Sequence, residues 1–253
     1  ITEGLVGSEM CIRDSPESMR DSFLLTDYRG AATKCQSLVI KLRPDGSSFK
    51  VFNVDPLVEG LAASDVELGY DGNLYFADYG GGWSANRNGT VQVLRPTDED
   101  ARTNGAETAR MFKKGFSHRS IAELESLLDS ADQRVRQEAQ FALVEKGEKS
   151  IPTLIELIEE QDDFALSSLH ALWALGQLYR EGVEEASGPI LSALQSEHPE
   201  LRANAARVAG DVGIGEARDL LISALEDSSN RVVSLSAIAL GRLCEPGDRE
   251  AED

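Results

Sequence analysis

Residues 132–143 read DQRVRQEAQFAL, and this stretch decides the fold of the second half of the chain. Val135, Ala139 and Ala142 are spaced four and three residues apart, so they share one face of a helix. Small residues on such a face let a neighbouring helix approach closely. The stretch therefore predicts a helix that packs tightly against a partner helix.

The same spacing returns three times further along the chain. When the four copies are aligned, equivalent positions in successive copies are 32, 34 and 31 residues apart. Three sets of positions then coincide: Val135, Ser167, Leu201 and Val232; Ala139, Ala171, Ala205 and Ser236; and Ala142, Ala174, Val208 and Ala239. An acidic residue precedes each copy and is expected to cap its helix: Asp129, Asp162, Glu197 and Asp227.

Each of these helices follows another helix with amphipathic spacing. The first helices lie in residues 121–130, 151–160, 187–196 and 217–228. The pairs resemble a short HEAT-like repeat with the pattern D-x-x-V-R-x-x-A-x-x-A-L-G, and four copies are enough for a cooperative stack. We therefore predict a HEAT-like α-solenoid over residues 117–246, followed by a tail at residues 247–253. An unrelated helical bundle is the alternative.

The first half of the chain has the spacing of β-strands. In residues 22–96, short segments rich in β-branched and aromatic residues are separated by turn signals such as Asp71-Gly72. About six strands are too few to close a barrel, whereas one propeller blade takes about 40 residues. We predict a multidomain fold, β then α, in which residues 16–97 are the last one to two blades of a β-propeller. Residues 98–116 are expected to form a linker and lead-in helix.

The first residues have no regular spacing. Residues 5–15, LVGSEMCIRDS, back-translate to codons that match an adapter used in transposase-based DNA library preparation. They lack the apolar core of about 7–15 residues that a secretory signal peptide requires. We interpret residues 1–15 as an adapter-derived artefact and expect them to be disordered. The natural sequence is then expected to begin near Pro16.

Charge and cysteine content disfavour several classes of function. The formal net charge is −19, and three carboxylates and one Arg give residues 1–15 a charge of −2, which leaves −17 for the rest. Such a charge repels phosphates, so we expect no nucleic-acid binding. No apolar run approaches the roughly 18 residues of a transmembrane segment. Besides Cys11, only the widely separated Cys35 and Cys244 are present, which fits neither a metal site nor a disulfide framework.

The order of the two halves is more specific than either half. ESMRDSFLLTDYRG (residues 17–30) and SDVELGYDGNLYFADYGGGW (residues 64–83) precede RVRQEAQFALVEKG (residues 134–147) and LHALWALGQL (residues 169–178). This arrangement resembles the bacterial membrane-bound dehydrogenase-like family of haem-binding C-x-x-C-H proteins. In that family, a propeller similar to that of sugar dehydrogenases leads into HEAT repeats, and a c-type cytochrome domain often follows.

The resemblance implies an exported protein, periplasmic or secreted, that passes electrons from a sugar- or alcohol-type substrate to a c-type haem domain. It implies c-type haem and pyrroloquinoline quinone as cofactors of the whole protein. The present sequence contains no C-x-x-C-H motif. We therefore expect this piece to hold no cofactor and to act as a scaffold for adjoining domains or a protein partner. The alternative is a non-catalytic HEAT-repeat module for protein–protein binding.

Two carboxylates are candidate cofactor-binding residues. Asp65 opens a strand that the resemblance places along a propeller channel, and Asp78 ends its hairpin partner. The resemblance thus implies a cofactor or cation beside them, and turn capping is the alternative. Asp27, Tyr28 and Arg29 end an apolar strand, where they face either a channel mouth or an ordinary strand exit.

Four arginines begin second helices: Arg134, Arg136, Arg202 and Arg231. Residues 117–253 carry 12 Lys or Arg against 27 Asp or Glu, so we expect these arginines to pair with acids of neighbouring repeats in a structural ladder rather than to form a basic ligand-binding stripe. The histidines lie in different repeats without an i+4 partner, which predicts structural roles and no zinc pair: His118, His170 and His198. Gly80-Gly81-Gly82 reads as a loop, since no helix start follows it.

Overall fold

The computed structural model describes residues 5–10, 19, 22–80, 88–159 and 165–243. The chain divides into two compact units. The first, called the β unit below, comprises Ile1–Pro44, Phe49–Gly115 and Ala131–Gln133. The second, called the helical unit, comprises Asp45–Ser48, Phe116–Ser130 and Arg134–Asp253.

Two open antiparallel sheets form the β unit in the described residues. The first sheet has the strands β1 (Leu5–Met10), β2 (Ser22–Asp27), β3 (Gln36–Asp45) and β4 (Ser48–Glu59), in that order. The second has β5 (Ala63–Leu68), β6 (Leu74–Asp78) and β7 (Thr90–Leu94), also in order. Strands adjacent in sequence are neighbours in each sheet, so both are meanders. The predicted β region is confirmed, whereas a β-propeller is not established because neither sheet closes.

The core of the β unit draws side chains from both sheets. Burial alternates along β2 and β5, as expected for strands with one covered face. The buried cluster consists of Met19, Leu24, Val39, Ala63, Val66, Leu68, Leu74 and Phe76. Since these residues come from both meanders, the two sheets share one apolar core.

The β5–β6 hairpin confirms the turn signal at Asp71-Gly72. Leu68 pairs with Leu74, and Gly72 has a φ of 77°, a conformation that side-chain-bearing residues rarely adopt. The Asp71 carboxylate accepts hydrogen bonds from the Asn73 main-chain N–H at 3.1 Å and the Tyr75 hydroxyl at 2.8 Å. Burial raises the pKa of Asp71, but these hydrogen bonds outweigh it and bring the pKa below its ordinary value.

Strand β1 lies within the segment, residues 1–15, that the sequence analysis expects to be disordered. Leu5–Met10 pair with β2, with Met10 opposite Phe23 and an irregular register between Leu5 and Ser8. The physical reason is that an open sheet edge offers main-chain N–H and C=O groups to an extended segment of almost any sequence. The adapter origin of residues 1–15 stays a prediction.

A capped helix follows the second sheet. Helix α1 (Glu99–Lys114) begins after Asp98, whose carboxylate accepts from the main-chain N–H of Ala101 at 2.9 Å. It ends at Gly115, which has a φ of 79°. The segment predicted as a linker and lead-in helix therefore contains a four-turn helix that belongs to the β unit.

Helix α1 packs closely on the β5–β6 turn. A Cβ on Gly105 would lie 2.4 Å from the main-chain oxygen of Asp71, so only glycine fits there. The rings of Tyr70 and Phe112 stack with their centroids 3.8 Å apart. These contacts fix the helix against the hairpin.

The helical unit contains four consecutive helix pairs in the described residues. The first helices are α2 (Ile121–Leu127), α4 (Ile151–Glu159), α6 (Ser187–Ala193) and α8 (Arg218–Ser223). The second helices are α3 (Gln133–Glu145), α5 (Leu166–Arg180), α7 (Pro199–Val212) and α9 (Asn230–Leu243). Helix α2 starts with a capping box in which Ser120 and Glu123 exchange hydrogen bonds. None of the described helices is both long enough and apolar enough to cross a membrane.

The register predicted for the second helices agrees with their burial. All twelve aligned positions are buried, with exposed fractions between 0% and 7%. A further aligned set contains Gly176, Gly210 and Gly241. A Cβ on Gly176 would lie 2.6 Å from Val208 Cγ1, and one on Gly210 would lie 2.6 Å from Ala239 Cα. Successive second helices therefore meet with their backbones in close approach, as the small residues predict.

Candidate functional site

Each of the four second helices carries one large side chain at the same position of the repeat. These side chains are Phe141 in α3, Trp173 in α5, Arg207 in α7 and Ile238 in α9, with the same offsets of 32, 34 and 31 residues as the buried sets. Phe141 is 39% exposed and Ile238 is 48% exposed. This set, called the exposed row below, was missed by the sequence analysis. The alignment could have found it, because it lies two positions after the set that begins with Ala139.

Two adjoining cavities lie beside the exposed row and together form the groove. The α5–α7 cavity has a volume of about 310 Å³ and is lined by residues that include Trp173, Gln177, Arg180, Arg207 and Val208. The α3–α5 cavity has a volume of about 350 Å³ and contains Phe141, Glu145 and Glu181. Gln177 and Arg180 line both cavities, so the groove is continuous.

A chain of hydrogen bonds runs from α3 and α5 to the groove. Arg136 Nε donates to His170 Nε2 at 3.3 Å. His170 Nδ1 lies 2.8 Å from Gln140 Oε1. Gln140 Nε2 then donates to Gln177 Oε1 at 3.0 Å. The first three side chains are buried, whereas Gln177 reaches the groove wall.

Which group donates and which accepts in each of these hydrogen bonds follows from Arg136, the first residue of the series. A guanidinium only donates, so His170 Nε2 accepts, and the neutral ring carries its proton on Nδ1 and donates to Gln140. Burial lowers the pKa of His170 to about 4, and the charge of Arg136 acts in the same direction, so the ring is neutral at pH 7. The chain therefore ends in the amide NH₂ group of Gln177, which has no acceptor among the described residues.

Guanidinium groups outnumber carboxylates at the α5–α7 cavity. Arg207 pairs with the Asp211 carboxylate at 3.5 Å, and Arg242 pairs with the same carboxylate. Arg180 is exposed and donates to the main-chain oxygen of Asp211 at 3.4 Å. Among the described residues Arg180 forms no ion pair. Arg180, Arg207 and Asp211 are thus the charged residues that line this cavity, and Arg242 binds Asp211 from outside the lining.

Two of the four ladder arginines form ion pairs between α7 and the last helix pair. Arg202 binds Asp227 through two hydrogen bonds, from Nε at 2.7 Å and from Nη2 at 2.9 Å. Arg231 Nε lies 3.1 Å from Glu200 Oε2. Hydrogen bonds from Arg202 hold the pKa of Asp227 below its ordinary value, against the opposing effect of burial.

The other two ladder arginines have different surroundings. Arg136 is buried in the hydrogen-bonded chain described above and reaches His170 in the next repeat. Arg134 lies half-buried in the first turn of α3. Arg202 and Arg231 pair with acids of a neighbouring helix pair, and the ladder stays a prediction for Arg134 and Arg136.

The predicted acidic caps are not uniform. Asp227 accepts from the Ser229 main-chain N–H at 2.7 Å in the turn before α9. At α7 the N-cap residue is His198, which makes no side-chain capping bond, so the prediction of a cap from Glu197 is wrong. Pro199 follows at the first helical position and lacks an N–H, which leaves one fewer donor to cap. Asp162 lies outside the described residues.

The two candidate cofactor carboxylates are engaged with nearby main chain. Asp65 is exposed, and its Oδ1 accepts from the N–H of Val66 at 2.9 Å. Asp78 Oδ1 accepts from the N–H of Gly80 at 2.9 Å at the end of β6. The Asp78 bond has the geometry of turn capping, whereas Asp65 lies inside β5, and a cofactor-binding role for either residue stays a prediction. Gly81 and Gly82 lie outside the described residues.

A small polar cluster closes the end of β2. Asp27 is buried and accepts from Arg29 Nε at 2.8 Å and from Gln36 Nε2 at 3.3 Å. The hydrogen bond from Arg29 holds the pKa of Asp27 below its ordinary value. Tyr28 packs edge-to-face on Tyr79, with ring centroids 6.1 Å apart. The cluster ties a strand end to its neighbours, as the alternative of an ordinary strand exit predicts.

The remaining candidates do not assemble into a metal centre in the part of the chain that the structure describes. No cluster of three or more His, Cys, Asp or Glu side chains there is placed to hold a metal ion. Cys35 is buried and is a free thiol. Cys11 and Cys244 lie outside the described residues. His118 is exposed, whereas His170 belongs to the hydrogen-bonded chain.

Comparison with known proteins supports the helical assignment. A family model described as HEAT repeats matches residues 187–251, a range that includes α6 to α9. The HEAT-like prediction is confirmed for this part of the chain. A search of curated proteins found no match. The resemblance to haem-binding dehydrogenase-like proteins gains no support from these comparisons and stays a prediction.

Proposed function

We propose that the chain is an interaction scaffold whose helical unit binds a segment of a partner protein along the groove. The observation that carries this proposal is the exposed row, in which Phe141 and Ile238 remain open to solvent at the repeat spacing. Exposed apolar side chains that follow one surface are typical of a binding surface. Stacked repeats use extended surfaces of this kind to hold partners.

The dimensions of the groove favour a polypeptide over a large cofactor. Its cavities of about 310 and 350 Å³ lie at the lower end of the range for small-ligand pockets, about 300–1,000 Å³. Each accommodates one or two side chains. The continuity of the groove through Gln177 and Arg180 suits a segment that places successive side chains in successive cavities.

A displayed library of random 12-residue peptides tests the proposal. Peptides selected on the full 253-residue chain are measured against Phe141→Ser and Ile238→Ser, which truncate exposed side chains. Val91→Ser is the control, because Val91 is 67% exposed in β7 and lies outside the groove. We expect about tenfold weaker binding to Phe141→Ser, which changes the groove lining, a smaller loss for Ile238→Ser, which changes the exposed row on α9 outside the two cavities, and unchanged binding to the control. Equal binding to all variants would contradict the proposal.

We further propose that the two meanders are adjacent blades of a propeller. Their sequential strand order and shared core support this assignment. The proposal requires additional blades encoded upstream. Long-read sequencing of the source locus tests it, because an upstream sequence without further strand repeats would contradict it. The same sequence shows whether LVGSEMCIRDS is encoded there.

An oxidoreductase role of the longer protein rests on the family resemblance alone. It requires a signal for export, a c-type haem domain downstream, and quinone binding in the remainder of the propeller. A haem absorbance band in the intact gene product, expressed with periplasmic export, would support it. A gene that ends near Asp253 without a C-x-x-C-H motif would leave the scaffold role alone.

A further inference from the structure

We propose that the α5–α7 cavity recognises an acidic peptide segment in which a carboxylate side chain adjoins a large apolar side chain. This inference rests on the proposed binding function and specifies the chemistry of the partner. The carboxylate would be held by Arg180 and Arg207, and the apolar side chain by Trp173 and Val208.

The cavity offers more hydrogen-bond donors than the surrounding residues accept. Arg180 forms no ion pair among the described residues, and the side chain of Arg207 is 57% exposed although it lies 3.5 Å from Asp211. The amide NH₂ group of Gln177 adds a third donor. A carboxylate accepts several hydrogen bonds at once, and guanidinium groups bind it in a fork geometry, so it matches this set of donors.

The hydrogen-bonded chain fixes one of these donors in place. Arg136 sets the orientation of His170, which sets Gln140, and Gln140 in turn donates to the oxygen of Gln177 and so occupies this acceptor. If Gln177 turned its amide over, its NH₂ group would face the NH₂ group of Gln140. The groove therefore presents a donor and not an acceptor at this position.

An apolar wall stands next to the donors. Trp173 lines the cavity and is held edge-to-face by the buried ring of His170, with centroids 4.9 Å apart. Val208 also lines the cavity and approaches Gly176 closely. A large apolar side chain of the bound segment can pack on the indole while its neighbour reaches the arginines.

The charge of the surrounding surface makes the cavity selective. Residues 117–253 carry 12 Lys or Arg against 27 Asp or Glu, so most of this surface repels an acidic segment. The α5–α7 cavity is lined by two guanidinium groups and one carboxylate, whereas Glu145 and Glu181 line the adjoining α3–α5 cavity. An acidic segment is therefore favoured at this place and disfavoured elsewhere on the helical unit.

Two labelled peptides test the proposal by fluorescence anisotropy with the full chain. The probe is Gly-Ser-Glu-Phe-Glu-Ser-Gly, and its matched control replaces both Glu residues by Gln. We expect the acidic peptide to bind about tenfold more tightly, since hydrogen bonds to charged groups are the stronger ones. Arg180→Gln and Arg207→Gln should each remove most of this preference. Arg218→Gln on α8 removes the same charge outside the groove and should leave it unchanged. Trp173→Leu should weaken both peptides alike.

Several outcomes would overturn the proposal. Equal binding of the two peptides, or a preference that survives both arginine substitutions, would exclude recognition of the carboxylate. If displayed peptides still depend on Phe141 and Ile238, such a result leaves the scaffold function standing and removes only the acidic specificity. A dimer in sedimentation equilibrium that Arg207→Gln dissociates would assign the cavity to a second copy of the chain, and would also overturn the proposal.

Discussion

The second helices bury all twelve of their aligned positions, whereas β4 in the β unit leaves four apolar side chains exposed. These are Phe49, Val51, Phe52 and Val54, with exposed fractions between 47% and 57%. Strand β7, at the edge of the other sheet, exposes Val91, Val93 and Leu94 as well. Each helix pair therefore covers the apolar face of its neighbour, but each meander ends in an uncovered apolar strand.

The difference arises because helices and strands form their main-chain hydrogen bonds in different ways. A helix forms its main-chain hydrogen bonds within itself, so a repeat stack needs only side-chain packing to be complete. A strand forms them with a neighbour, so an open sheet always leaves one row of N–H and C=O groups unpaired at each edge. The helical unit accordingly has its open surface at the groove, and the β unit has it at its strand edges.

The largest expected effect on stability concerns His170, which belongs to the buried hydrogen-bonded chain of the helical unit. His170 has a pKa of about 4 in the folded state against about 6.5 in the unfolded chain. The unfolded state therefore binds more protons between these values, and stability falls as the pH falls through this window. We expect His170 to account for a loss of about 3 kcal/mol between pH 7 and pH 4.

Comparing urea unfolding of the wild type with His170→Gln over this range isolates the effect. The variant lacks the ionisable ring, so its stability should fall less steeply with decreasing pH than that of the wild type. Parallel curves for the two proteins would show that His170 titrates normally in the folded state and that the hydrogen-bonded chain does not hold it neutral.

The next effect tests the close approach of the second helices. Gly210→Ala would place a methyl group 2.6 Å from Ala239 Cα, and main-chain atoms cannot move aside as a flexible side chain can. We expect a loss of about 2 kcal/mol in the free energy of unfolding from overpacking. Circular dichroism at 222 nm during thermal unfolding measures it.

Gly241 provides the matched control because it occupies the equivalent position in α9 with nothing within 4 Å of an added Cβ. Gly241→Ala should stabilise the protein by about 0.5–1 kcal/mol, since alanine loses less backbone entropy in a helix than glycine. If both substitutions changed stability in the same direction, the close packing between α7 and α9 would not be what decides the first result.

A smaller difference in stability should distinguish the two ion pairs between α7 and the last helix pair. In the Arg202–Asp227 pair the side chains are 17% and 11% exposed, against 34% and 47% in the Arg231–Glu200 pair. We expect Asp227→Asn to cost about 1–2 kcal/mol, because it leaves a shielded guanidinium without its countercharge. Glu200→Gln should cost about 0.5 kcal/mol or less. Equal losses in urea unfolding would contradict this ranking.

The sequence predicted the architecture better than it predicted the site. Repetition made the buried positions of the second helices visible, since Ala139 and its counterparts recur at the same offsets. Turn chemistry did the same for the β5–β6 hairpin. Strand β1 was missed because its pairing depends on an available sheet edge and leaves no signature in residues 5–10.

The groove could not be located from spacing alone. The exposed row recurs at the same offsets as the buried sets. The angle between packed helices decides which of these sets of positions faces solvent. The hydrogen-bonded chain joins residues that are 30 to 37 positions apart, and each bond depends on a side-chain rotamer. Arg136 shows the consequence, because its position in the repeat did not predict its hydrogen bond to His170 in the next repeat.

The smallest expected change in stability comes from the exposed edge of the β unit. Val51→Lys replaces a side chain that is 52% exposed, so the free energy of unfolding should change by no more than about 0.5 kcal/mol. Self-association should decrease, because a lysine on an open strand opposes edge-to-edge pairing. Sedimentation velocity over a range of protein concentrations measures it. Thr103→Lys, on the exposed surface of α1, adds the same charge away from any strand and should leave association unchanged. If both variants reduced association equally, net charge and not the β4 edge would be the cause, and the contrast between a completed helical stack and an open sheet would lose its main consequence.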